Sequence, residues 1–161
     1  MRTALKAGTS IRVPGNILYQ ITGGPIGEGG GGILYPVRKY LPDGSGAYTE
    51  SPISYAMKEC FPLSAKYRFS RADTGEIRPQ KEDTEAWNYL NRAKEMQLAE
   101  NTITGAIYHT AFRLTPVLET FQKVEISQDG GNTFQEACNS IAIMELLSEK
   151  GCSLKHYLKG Q

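Results

Sequence analysis

Residues 27–32 read Gly-Glu-Gly-Gly-Gly-Gly and run straight into Ile-Leu-Tyr-Pro-Val, and Lys58 follows about 26 residues after Gly32, in Tyr-Ala-Met-Lys. Glycines lack a Cβ, so their backbone amides can lie against a ligand or against another stretch of chain. A lysine ammonium is a compact charge suited to phosphate. Gly27, Gly29 and Gly32 satisfy G-x-G-x-x-G. A dinucleotide fold requires a helix to open at the third glycine; here a proline-containing apolar run follows instead, and no G-K-[ST] closes a Walker loop. What remains is a glycine-rich hairpin laid over nucleotide phosphates between two antiparallel strands. A flexible linker is the plain alternative, but apolar strand-like sequence flanks the cluster on both sides and serine is missing from it.

The elements that must position these residues are legible from periodicity. Residues 17–40 carry short apolar runs on either side of the glycines and predict two strands. The turn-rich YLPDGSGAYTESP leads to a third strand over 53–61, on which alternation puts Ala56 and Lys58 on one face. Residues 62–80 are a polar excursion with a turn signal at Asp73 to Gly75. KEDTEAWNYLNRAKEMQLAEN predicts a helix over about 83–100, capped by Asp83 or Thr84. Residues 111–127 alternate as one long strand, with Pro116 pointing to an edge or a bulge. SIAIMELL, residues 140–147, is a buried-strand run, and the first turns of a further helix follow at the C-terminus. The expected fold is α+β: a five-stranded antiparallel sheet with one main helix. Residues 1–16 are an N-terminal extension, 17–147 form the sheet and helix, and 148–161 connect to the last helix.

With 161 residues and 40% hydrophobic content the chain fits one globular domain. A net charge of +1 argues against a nucleic-acid partner, for which a concentrated basic excess would be expected. Cys60, Cys138 and Cys152 have neither zinc-site spacing nor the density of a disulfide scaffold. No metal site, signal peptide or membrane segment is read, and a reducing cytoplasm is the expected setting.

Taken in order, IGEGGGGILY, YAMKE and SIAIMELLSEKGCSLKHYL resemble the glycine-rich loop, the third-strand lysine motif, and the fifth strand, hinge and next helix of the amino-terminal lobe of eukaryotic-type serine/threonine protein kinases. The resemblance runs from about Gln20 to Lys159. It implies that Gly27, Gly29 and Gly32 line the phosphates of ATP and that Leu34 and Ala56 sandwich the adenine. Lys58 would hold the phosphates, Met144 would back the adenine pocket, and the backbones of Glu145 and Leu147 would bond the adenine edge. The family positions its lysine with a helix glutamate; spacing favours Glu95, then Glu85, with Glu100 also on the helix, while a tighter alignment puts Arg92 there. No H-R-D-type catalytic loop or D-F-G metal motif occurs in the 161 residues, so the chain alone is not expected to turn over. The family would add Mg and a protein substrate through its second lobe. The alternative implied is a pseudokinase-like scaffold that docks a protein or self-associates through the exposed lobe face.

Overall fold

The computed structural model describes residues 2–104, 108–109, 112–114 and 117–148. Its N-terminal half holds β1 (Ser10–Val13), β2 (Ile17–Ile21), the short β3 (Gly27–Glu28), β4 (Gly32–Pro42), β5 (Tyr48–Cys60), β6 (Phe69–Arg71) and β7 (Ile77–Pro79). Then come α1 (Thr84–Thr104), β8 (Tyr108–His109), β9 (Phe112–Leu114), β10 (Glu119–Phe121), β11 (Val124–Ser127), β12 (Gln135–Ala137) and β13 (Ile141–Ser148).

One antiparallel sheet dominates, ordered β12-β11-β1-β2-β4-β5-β13-β9-β8, with β3 and β10 paired off this path, and it curls into a half-barrel. This corrects the expected five-stranded sheet with one main helix: the protein is mostly β, and the sheet continues well past β2. Two causes account for the difference. Residues within 1–16 supply β1, whose Ile11 and Val13 turn into the core. The expected long strand over 111–127 breaks at Gln122–Lys123. Before the break, β10 pairs with β13; after it, β11 crosses to β1, with Ile11 opposite Ile126. The expected C-terminal helix lies outside the described residues.

The centre of the sheet is buried on both faces, which is why its strands read as continuous apolar runs. On β4, Ile33, Tyr35 and Val37 enter the main core, while Leu34 faces a second, smaller cluster. On β13, Ile141 and Ile143 enter the main core, and Ala142 and Met144 the second cluster. Pro36 fits mid-strand because its carbonyl accepts from the Thr22 N–H, on the side where β2 has ended and β3 has not begun. N–H and C=O of one strand residue point the same way, so the missing proline N–H removes no bond to β5. The β4–β5 hairpin turns at residues 43–47, where Gly44 and Gly46 take φ of 86° and 92°.

Helix α1 opens at Asp83, whose Oδ1 accepts from the Glu85 N–H at 2.8 Å, with Glu85 in the first turn to complement the helix dipole. It packs on β7 and β5 through Ala86 and Leu90, and Tyr89 stacks on Phe69 at 5.9 Å. No helix among the described residues is long and apolar enough to cross a membrane.

A buried polar knot ties these pieces together. The Arg71 guanidinium grips both oxygens of Glu59 at 2.7 and 2.9 Å, with side-chain exposures of 6% and 1%. Asn139 donates to Glu59 and accepts from the Ile77 N–H, and the Tyr35 hydroxyl donates to Glu59 while accepting from the Leu5 N–H. Arg71 also donates to the carbonyls of Thr3 and Gly75. Burial and the Glu59 carboxylate push the Tyr35 phenol well above its ordinary range. Burial works against the Arg71 charge, but the Glu59 bond and charge more than offset it, so Arg71 stays cationic.

Breaking one partner of such a pair strands a charge in the core. Arg71→Met is therefore expected to cost about 3–5 kcal/mol in urea unfolding, against a much smaller loss for Arg12→Met at the half-exposed Arg12–Glu125 pair. Equal midpoints for the two variants would refute the central role of the knot.

Candidate functional site

Strand alternation on β5 separates two tasks. Met57 and Glu59 point into the main core, whereas Ala56 and Lys58 lie on the other face, with Leu34 and Ala142 flanking Lys58 in register and Met144 opposite Ala56. The structure thus brings together the Leu34, Ala56 and Met144 side chains expected around an adenine, in the second cluster. That cluster is closed: Ala56 and Met144 are fully buried, packed with Ala142, Ile26, Val117 and Leu146. Glu145 and Leu147 continue β13 beyond it, half-buried.

Lys58 is half-buried and opens onto a cleft of about 410 Å³ between the glycine loop and α1. Gly30 and Gly31 form one wall; Arg92, Met96 and Gln97 form the opposite one. Neither Lys58 nor Arg92 makes a hydrogen bond or ion pair with a described residue, and none of the described lining residues is acidic. The cleft therefore has two uncompensated cations and glycine backbone at its rim, a composition that suits an anion. Beside it, burial pushes the Cys60 thiol up to about 11, so this cysteine is no nucleophile at neutral pH.

The glycines divide into two kinds. A Cβ at Gly32 would run into the backbone carbonyl of Glu59, so the close approach that excludes a side chain there is to the protein's own β5. At Gly29, Gly30 and Gly31 a Cβ would meet nothing within 4 Å, and none of the three takes a positive φ. Gly27 sits in the small β3 ladder opposite Leu34. The loop is held rather than loose. Arg2 donates to the carbonyls of Gly29, Gly32 and Phe61, and the Phe61 and Leu63 N–H groups donate to Gly31 and Gly30.

The helix glutamates stand elsewhere. Glu95 is exposed and outside the cleft lining; Glu85 accepts from the Tyr67 hydroxyl and pairs with Lys66 near the start of α1; the Glu100 side chain lies outside the described residues. Gln97 and the pair Gly30–Gly31 are the site residues that motif reading passes over. Gln97 could have been noticed as the polar member of an otherwise apolar stripe, since Ala86, Leu90 and Ala93 precede it at helical spacing. Among the described residues no group of three or more His, Cys, Asp or Glu side chains gathers to hold a metal ion.

Comparison of the chain with protein-family models, curated proteins and solved structures finds no match in any of the three.

The division of the glycines is testable by melting. Gly32→Ala is expected to lose about 1–3 kcal/mol through overpacking against β5, whereas Gly30→Ala and Gly31→Ala should hold or gain up to about 1 kcal/mol by stiffening the unfolded chain. A Gly32→Ala protein as stable as wild type would show that the loop can shift freely off β5.

Proposed function

We propose that the cleft between Gly30, Gly31, Lys58 and α1 binds the phosphates of a nucleotide, ATP by the motif resemblance, and that the chain is the nucleotide-holding part of a serine/threonine protein kinase-like phosphotransferase. The observation that carries this reading is the convergence of a lysine and an arginine without partners among the described residues and of glycines at which a Cβ would meet nothing. A phosphate chain needs both: positive charge to offset its own, and backbone that can come close without a side chain in the way. Leu34, Ala56 and Met144, gathered on the same sheet face as Lys58, supply an apolar wall for a base. Because Ala56 and Met144 are enclosed, the base would have to displace Ile26, Val117 or Leu146 to reach them.

Within this reading the residues position rather than react. Lys58 draws the phosphates onto the strand, the Gly30–Gly31 backbone borders them, and Arg92 adds charge from the helix side. Magnesium bound to the nucleotide would supply charge neutralisation at the transferring phosphoryl group. A second reading, a docking module with the same framework and no phosphoryl transfer, is favoured by one observation: no described acid in the cleft holds Lys58 in place.

Titration of a fluorescent ATP analogue with magnesium distinguishes these. Removing one charge-assisted contact should weaken binding about tenfold or more in Lys58→Met, and Gly30→Ala should weaken it without lowering the melting temperature. Absence of binding by the wild-type chain, or equal binding by Lys58→Met, would rule out the nucleotide reading and leave the docking module.

A further inference from the structure

The face of α1 turned toward the protein interior reads Ala86, Leu90, Ala93, Gln97, and the last of these is only 5% exposed. Both amide atoms of Gln97 are shut off from solvent and have no hydrogen-bond partner, and among the described residues no other buried side chain is left so. A buried amide without a partner costs free energy that leucine at the same position would not. As the cleft stands the amide is screened from solvent, so a partner can reach it only by a shift of the side chains around it, and the cleft supplies both a side chain and room for a bound group. Lys58 and Arg92 are the cationic donors lining the cleft, neither has a partner among the described residues, and Lys58 carries its ammonium on a flexible four-carbon stem.

We propose that Gln97 is the positioning residue of this cleft. When a polyphosphate anion is bound, the Gln97 amide turns from its enclosed position into the cleft, where its Oε1 accepts a hydrogen bond from the Lys58 ammonium and its Nε2 donates toward the anion that the ammonium holds. This rests on the phosphate-binding reading and deepens it, because the holder of the lysine is then a neutral amide and not a carboxylate. A neutral holder leaves the full charge of Lys58 for the ligand. The cleft accordingly favours the more highly charged phosphate chain, tripolyphosphate over diphosphate over monophosphate, with affinity falling as salt rises.

The test uses inorganic tripolyphosphate as the probe, with wild type, Gln97→Leu, Gln97→Glu and Lys58→Met. Calorimetry should show binding to wild type weakened about tenfold in Gln97→Leu, although that variant melts no lower than wild type. Gln97→Glu should also weaken binding, since its carboxylate neutralises Lys58. In wild-type protein the Gln97 side-chain amide signal in ¹H–¹⁵N NMR, assigned through the backbone, should shift on titration, and in Lys58→Met it should not. The signal in wild type decides the matter even if a Gln97 variant fails to fold. Tripolyphosphate binding that is lost in Lys58→Met, with the Gln97 signal unmoved and Gln97→Leu within twofold of wild type, overturns the role of Gln97 and leaves the phosphate reading standing. No binding to wild type, or equal binding to Lys58→Met, overturns both.

Discussion

Glu59 and Arg71 meet inside the protein, away from the water that would otherwise solvate both charges, and the surrounding structure is arranged so that neither is left short. A buried pair gains little net free energy over an apolar substitute, but it is costly to misplace by even one residue, because each charge would then face the core alone. That makes it a device for register more than for strength. The knot spans the N-terminal segment at Thr3 and Leu5, β4 at Tyr35, β5 at Glu59, β6 at Arg71, the turn at Gly75 and the approach to β13 at Asn139. Segments distant in sequence are thereby pinned to one point on β5.

The residue next to that point is Lys58. In a strand, neighbouring side chains take opposite faces, so fixing Glu59 toward the core fixes Lys58 toward the cleft. A slip of one residue, or of any odd number, would exchange the two faces and turn the lysine into the core and the glutamate away from its partners. The glycine loop is tied to the same strand, because Gly32 lies against the Glu59 carbonyl and leaves no room between them. Glycine loop, lysine and core are therefore positioned by a single backbone segment, residues 58–60, and the cleft walls are held by the packing that stabilises the sheet.

How much of this was readable in advance follows from the range of each interaction. The β4–β5 hairpin, β13 and α1 with its Asp83 cap are local, and their apolar periods, turn residues and capping side chain announced them. The outer half of the sheet is not local. β1 is only four residues, set between Gly8 and Pro14, and its partner β11 lies more than a hundred positions downstream, with Ser10 opposite Ser127. Four alternating residues carry too weak a period to stand out, and nothing near them hints at a partner so far away. At the site, Lys58 was visible in its spacing, but the motif glycines Gly27, Gly29 and Gly32 are not the pair, Gly30 and Gly31, that lines the cleft, and Leu98 competes with Gln97 for the stripe begun by Ala86, Leu90 and Ala93.

The glycine cluster shows why composition and cause have to be separated. Five glycines in six positions read as one feature, yet the fold does not call for all of them. Gly32 is dictated by the fold: any side chain there would force β4 away from β5 and disturb the ladder that carries Lys58. At Gly29, Gly30 and Gly31 a Cβ would meet open space, none of the three takes a positive φ, and their carbonyls are already bonded to Arg2, Leu63 and Phe61. A fold gains nothing by leaving such positions bare, because alanine there would cost the unfolded chain more freedom than it costs the native one. Glycines at which a side chain would meet nothing thus stand beside Lys58 and Arg92, neither paired among the described residues, whereas Gly32 alone of the run is explained by contact with the sheet.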